Sequence, residues 1–89
     1  MNLGKNWVLK IDPGVYKDLS KIPKDYARKI LEAIENLPVN PYYGDTEKIK
    51  GERHLWRKRI GRYRLFYEIH PSDNLIHMLW TERRSSNTY

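Results

Sequence analysis

An α+β fold is predicted for this 89-residue chain, with two N-terminal helices packed on one face of a small, twisted, mainly antiparallel four-stranded sheet. Three observations carry the prediction. Apolar residues recur at helical spacing between residues 13 and 37, in two runs that each open on a proline. Two stretches after residue 54 alternate apolar and polar side chains, and Gly61-Arg62 separates them by the two residues of a tight hairpin. Helices that precede such a meander gather on one side of the sheet and leave the other side open.

The elements follow in order. Asn6 to Ile11 reads as a first strand, ended by Asp12-Pro13, where Asp12 can cap a helix and Pro13 suits its first turn. Val15, Leu19 and Ile22 form the first helical stripe. Pro23 opens a longer helix in which Tyr26, Ile30, Ile34 and Leu37 share a stripe, with Ala27 and Leu31 beside it. Lys24, Asp25, Arg28, Lys29, Glu32 and Glu35 take its wet face, and Asn36-Leu37-Pro38 ends it. The stretch from Pro38 to His54 contains Pro41, Gly44 and Gly51 without a clear period and reads as an irregular connector. Leu55 to Ile60 and Tyr63 to Ile69 are the hairpin strands. Pro71-Ser72-Asp73-Asn74 makes the next turn and Leu75 to Trp80 the last strand. One domain, residues 1–89, is expected, with no internal repeat or low-complexity segment.

Composition narrows the chemistry. A chain of this size builds one modest core, so a shallow surface site is expected rather than a deep cavity. It has no cysteine, which excludes disulfides and thiolate metal sites. No apolar run approaches the roughly twenty residues of a membrane span, and Met1 to Lys10 lacks the apolar core of a signal peptide, so a cytoplasmic location is expected. Seventeen Lys and Arg against eleven Asp and Glu give a net charge of +6, which favours nucleic acid first and acidic proteins second. Nearly half of the positive charge lies in one segment: Lys48, Lys50, Arg53, Arg57, Lys58, Arg59, Arg62 and Arg64, with Glu52 the only acid among them.

Period-two alternation puts Arg57 and Arg59 together, opposite Trp56 and Ile60. In the next strand Arg64 and Phe66 lie opposite Tyr63, Leu65, Tyr67 and Ile69. Guanidinium groups gathered on paired strands repel one another unless an anion lies between them, and their fork geometry matches phosphate oxygens, so a phosphate site is expected there. A merely solvated face would not need its arginines segregated. Phe66, on the arginine side, is the candidate for stacking on a base, whereas Trp7, Trp56 and Trp80 are expected in the core. His54, His70 and His77 show no metal spacing, and His54, next to the basic segment, is a minor candidate. Glu68 and Glu82 have charge-balancing explanations, Glu82 beside Arg83. No Gly-rich phosphate loop, zinc signature or Ser-His-Asp arrangement is visible, and neither a metal nor a small-molecule cofactor is implied.

The run Leu55-Trp56-Arg57-Lys58-Arg59-Ile60-Gly61-Arg62-Tyr63-Arg64-Leu65-Phe66-Tyr67-Glu68-Ile69 resembles the central hairpin of the RelE/ParE toxin superfamily, in its RelE-like branch. The preceding helices and the tail from Arg83-Arg84 to Tyr89 fit as well. The resemblance implies the toxin of a type II toxin–antitoxin system, a metal-independent endoribonuclease that cleaves messenger RNA in the ribosomal A site. The attack is by a ribose 2′-hydroxyl on the adjacent phosphate. By position, it implies catalytic roles for Arg57, Arg59, Arg64, Arg83 and Tyr89, the last as base. Lys48, Lys50, Arg53, Lys58, Arg62, Arg84 and Phe66 are expected to touch RNA or ribosome. Lys58 stands where the family is usually apolar, and alternation sends it to the helix side, where it must snorkel or find a partner.

The partners implied are messenger RNA, the ribosome and a RelB-like antitoxin, whose acidic or amphipathic segment would cover the basic face or displace the tail. A toxin–antitoxin heterotetramer is one form this could take. Two other readings share the fold: a ParE-like inhibitor of DNA gyrase, and an inactive toxin relative that binds only RNA or antitoxin.

Overall fold

A computed structural model describes residues 7–84. The Asp12 carboxylate accepts a hydrogen bond from the Gly14 N–H at 3.1 Å, capping α1 (Pro13–Leu19) with Pro13 in its first turn. The second helix, α2 (Lys24–Glu35), buries Ile30 and Ile34 against the sheet. All six charged residues assigned to its wet face are exposed. Tyr26 sits at the edge of the stripe, 41% exposed, with its ring 5.6 Å from that of Tyr63.

The sheet has five strands, not the four expected: β1 (Val8–Ile11), β2 (Thr46–Lys48), β3 (Leu55–Ile60), β4 (Tyr63–His70) and β5 (Leu75–Arg83), in the spatial order β1-β5-β4-β3-β2. It is mixed, because β1 runs parallel to β5 while the other pairs are antiparallel. The additional strand, β2, lies in the connector read as irregular. It is three residues long, too short for its period to register among the glycines and prolines around it.

Along β4 burial alternates without exception: Tyr63, Leu65, Tyr67 and Ile69 join Val15, Leu19, Ile30, Ile34, Leu37, Ile76 and Met78 in one core between sheet and helices. Arg64, Phe66, Glu68 and His70 line the opposite face. The connector is tied to the helix side of the sheet. Buried Tyr67 donates its hydroxyl to the Pro41 carbonyl at 3.0 Å, and Lys58 Nζ donates to the Tyr43 carbonyl at 2.7 Å while lying 5.5 Å from the Tyr43 ring centre. Gly44 permits this close approach. Its φ is +86°, and a Cβ there would meet Lys58 Nζ at 2.9 Å. These anchors deliver β2 to the edge of β3.

The Tyr67 contact has a measurable consequence. Tyr67→Phe leaves the buried Pro41 carbonyl without its donor, so unfolding free energy in urea should fall by roughly 1–3 kcal/mol. Burial raises the pKa of this phenol above its ordinary value of 10, so the folded state keeps the proton where the unfolded chain releases it. Stability should therefore fall as pH rises through 10, by up to about 1.4 kcal/mol per pH unit, and Tyr67→Phe should remove that slope.

Candidate functional site

The open face of the sheet is built by the β3–β4 hairpin. Gly61, with φ +58°, makes the first position of its two-residue turn, which fixes the register Ile60↔Tyr63, Arg59↔Arg64 and Arg57↔Phe66. Arg57, Arg59 and Arg64 therefore meet on one face, and Arg59 stands directly across the ladder from Arg64. Like charges in that position are destabilising unless something lies between or beside them.

What lies beside them comes from β2 and the residue before it. Glu47 pairs with Arg57, and Asp45 Oδ2 accepts from Arg59 Nε at 2.9 Å. The Arg59 backbone N–H also donates to the Asp45 carbonyl at 3.0 Å, holding the Asp45 backbone beside β3. The counting of Glu52 as the only nearby acid misses both residues, because they precede the basic segment in sequence and join it only through β2. Arg64 has no ion pair among the described residues. The Nε atoms of Arg57 and Arg64 are buried without a hydrogen-bond partner, so the cluster retains unused donors.

The two carboxylates are 64% and 52% exposed at the side chain and can swing away, as an anion with more oxygens takes the arginines. Glu47→Gln removes one competitor for Arg57. It should tighten binding of a short RNA by about two- to five-fold at low salt, as measured by fluorescence anisotropy. Weaker binding would mean instead that Glu47 orients the guanidinium for its ligand.

The basic segment is not one patch. Lys48 is in register with Trp56 and Lys58 with Leu65, which sets both on the helix side of the sheet, away from the arginines. Lys58, expected among the RNA contacts, lies on this helix side with its ammonium bonded to the Tyr43 carbonyl. Burial lowers its pKa, opposed by the nearby Asp45 carboxylate, and its ammonium is held at Tyr43. Lys50 and Arg53 are exposed in the loop before β3, Arg62 is exposed in the hairpin turn, and the Arg84 N–H bonds to the Arg62 carbonyl.

A β-bulge changes the end of β5. Tyr67 pairs with Met78 but Phe66 pairs with Trp80, so Leu79 is the extra residue. Plain alternation would have put Trp80 in the core with Ile76 and Met78, and Arg83 on the open face. The bulge reverses both. Trp80 stacks on Phe66 on the open face, ring centres 4.6 Å apart and planes within 8°, and Arg83 falls in register with Tyr63 on the helix side. Arg83 thus stands outside the three-arginine cluster. Glu82 comes to the open face opposite Arg64, where its carboxylate accepts from Trp80 Nε1 at 2.9 Å rather than pairing with Arg83. Tyr89 lies outside the described residues.

The histidines sit at the far end of the same face. The His54 and His70 rings are 4.4 Å apart, His70 Nε2 is 2.9 Å from Glu68 Oε1, and His77 is in register with Glu68. Among the described residues no group of three or more such side chains is placed to hold a metal ion. None of their helices is long and apolar enough to cross a membrane.

Residues 9–86 match the family of ParE toxins of type II toxin–antitoxin systems. The chain belongs to the RelE/ParE toxin superfamily, and it is RelE-like. A RelE1 toxin-family protein of Methanocaldococcus jannaschii is 33% identical over 79 residues, spanning 85% of this chain and 88% of the relative. The archaeal RelE–RelB complex from Pyrococcus horikoshii contains a chain 30% identical, with a TM-score of 0.80 over 93% of this chain and 100% of that one. The isolated RelE toxin of E. coli shares the fold at a TM-score of 0.74 and 13% identity, covering 91% and 87% of the two chains.

Proposed function

We propose that this RelE-like toxin is a ribosome-dependent endoribonuclease that cuts messenger RNA in the A site. The observation that carries the reading is the cluster of Arg57, Arg59 and Arg64 on the open face, with two buried Nε donors unused. In the proposed reaction the ribose 2′-oxygen attacks the adjacent phosphorus. The O2′–P bond forms, the P–O5′ bond breaks, a base takes the 2′-hydroxyl proton, and an acid protonates the departing 5′-oxygen. Negative charge builds on the equatorial oxygens in the transition state, and preorganised guanidinium groups stabilise it there more than in the ground state. Tyr89 is the proposed base. Arg83, turned to the helix side by the bulge, is assigned to the rim with Lys50, Arg53, Arg62 and Arg84. These rim charges would hold ribosomal or messenger RNA through salt-sensitive phosphate contacts.

The partner is proposed to be a RelB-like antitoxin, as in the P. horikoshii complex. Its acidic or amphipathic segment would cover the arginine face, where Asp45 and Glu47 already show how carboxylates satisfy it. A heterotetramer of two toxins and two antitoxins is compatible with that arrangement.

The match to ParE toxins favours a second reading, inhibition of DNA gyrase by the same fold. Purified toxin added to ribosomes carrying a defined message separates the two. The ribonuclease reading requires cleavage within the A-site codon and unchanged gyrase supercoiling. Loss of supercoiling with intact message selects the ParE-like reading, and neither effect selects an inactive relative.

A further inference from the structure

Trp80 occupies the open face only because Leu79 is inserted as a bulge, and its surroundings there differ from those of a core tryptophan. One face of its indole is covered by Phe66, with the planes within 8°. Its N–H is satisfied by Glu82, a neighbour on the same strand and face, which fixes the ring orientation. On the other flank, β1 pairs with β5 only as far as Ile11↔Met78, so among the described residues no strand borders β5 beside Trp80. Among the described residues, then, no strand continues the Phe66–Trp80 column beyond Trp80. Across the ladder from Phe66 stands Arg57, two strand spacings or roughly 10 Å from the indole, while Arg64 lies on the adjacent strand, diagonally across from Trp80. A nucleotide with its phosphate on the arginines can reach that far with a neighbouring base.

We propose that the outer face of Trp80 is a stacking site for one RNA base, extending the Phe66–Trp80 column beside the phosphate clamp. This rests on the ribonuclease reading of the arginines and adds to it a base contact. Single-stranded RNA is held in this way where splayed bases stack on aromatic rings while cationic groups track the backbone. Because every base has a π-face, and because the indole N–H is already engaged by Glu82, the site selects for the presence of a base rather than its identity.

The test uses the full chain, a fluorescent 2′-O-methyl hexanucleotide that cannot be cleaved, and inorganic polyphosphate of similar charge as a baseless probe. Trp80→Leu keeps an apolar side chain without a π-face. It should lose about 5- to 150-fold in affinity for the hexanucleotide, the range for one base–aromatic stack, and bind polyphosphate as wild type does. Trp80→Phe should recover most of the loss, and its recovery excludes misfolding as the cause. Equal hexanucleotide affinity in Trp80→Leu and wild type overturns the stacking site, as does an equal loss on both probes. If Arg64→Ala also leaves hexanucleotide binding unchanged, the RNA reading of the face falls with it. If Arg64→Ala weakens binding while Trp80→Leu does not, only the stacking site is lost.

Discussion

Arg64→Ala is expected to slow cleavage of messenger RNA on programmed ribosomes by about 30- to 1,000-fold while leaving the protein as stable as wild type or slightly more so. The magnitude is that of one charge-assisted phosphate contact formed in the transition state, about 2–4 kcal/mol. Arg64 is singled out from its neighbours by its partners. Arg57 and Arg59 each have a carboxylate at hand, whereas Arg64 has no ion pair among the described residues and a buried Nε with no acceptor. It also lies on β4, flanked by β3 and β5, so its backbone is held from both sides. The stability half of the prediction follows from the same facts. Removing Arg64 deletes an unsatisfied buried N–H and a like charge opposite Arg59, and neither deletion costs stability. Arg64→Lys keeps the charge but loses the fork, and should fall between wild type and alanine. Single-turnover cleavage read alongside urea unfolding tests both halves, and undiminished cleavage in a stable Arg64→Ala protein would remove the residue from the site.

Much of this site was legible in the sequence because strand alternation is a strong signal where one face is buried. The positions of Arg57, Arg59, Arg64 and Phe66 follow from the period of two around the Gly61-Arg62 turn, and the helices follow from their apolar stripes, each opened by a proline. What could not be read depends on pairing between distant segments. The strand β2 is recognisable only by its partner β3, so sequence alternation alone points to no role for Asp45 and Glu47, although they neutralise two of the three arginines. The bulge at Leu79 is set by β5 against β4, and a single inserted residue exchanges the faces of everything after it. That one residue moves Trp80 out of the expected core and Arg83 off the expected face, while Glu82 takes the place opposite Arg64. The sequence signal for the bulge is slight: Leu79-Trp80 interrupts an alternation that Ile76 and Met78 establish. Lys58 shows the opposite case, since alternation sent it to the helix side and the structure supplies the partner it needed, at Tyr43.

Tyr89→Phe is expected to reduce single-turnover cleavage by about 10²- to 10⁴-fold, the range for loss of a general acid–base group. The assignment of Tyr89 as base comes from its place six residues beyond Arg83 in a RelE-like chain. One feature of the structure bears on whether it can reach the substrate. The Arg84 N–H bonds to the Arg62 carbonyl, which ties the chain to the tip of the hairpin, next to the Arg59↔Arg64 pair. The five residues that follow span at most about 17 Å when extended. A phenol titrates ordinarily near 10, and a guanidinium group close to a phenol favours its ionised form. Wild-type cleavage should then rise with pH until the phenol is ionised. Tyr89→Phe keeps the ring and removes the titrating hydroxyl, so its residual cleavage should be slow and should lose that rise. The arginine clamp predicts the size of the residue that remains: Tyr89→Phe should still respond to Arg64→Ala, because stabilising the charged phosphorus centre does not depend on which group removes the proton. Full activity in Tyr89→Phe, measured on programmed ribosomes with toxin in excess, would end the assignment of Tyr89 and leave the clamp standing.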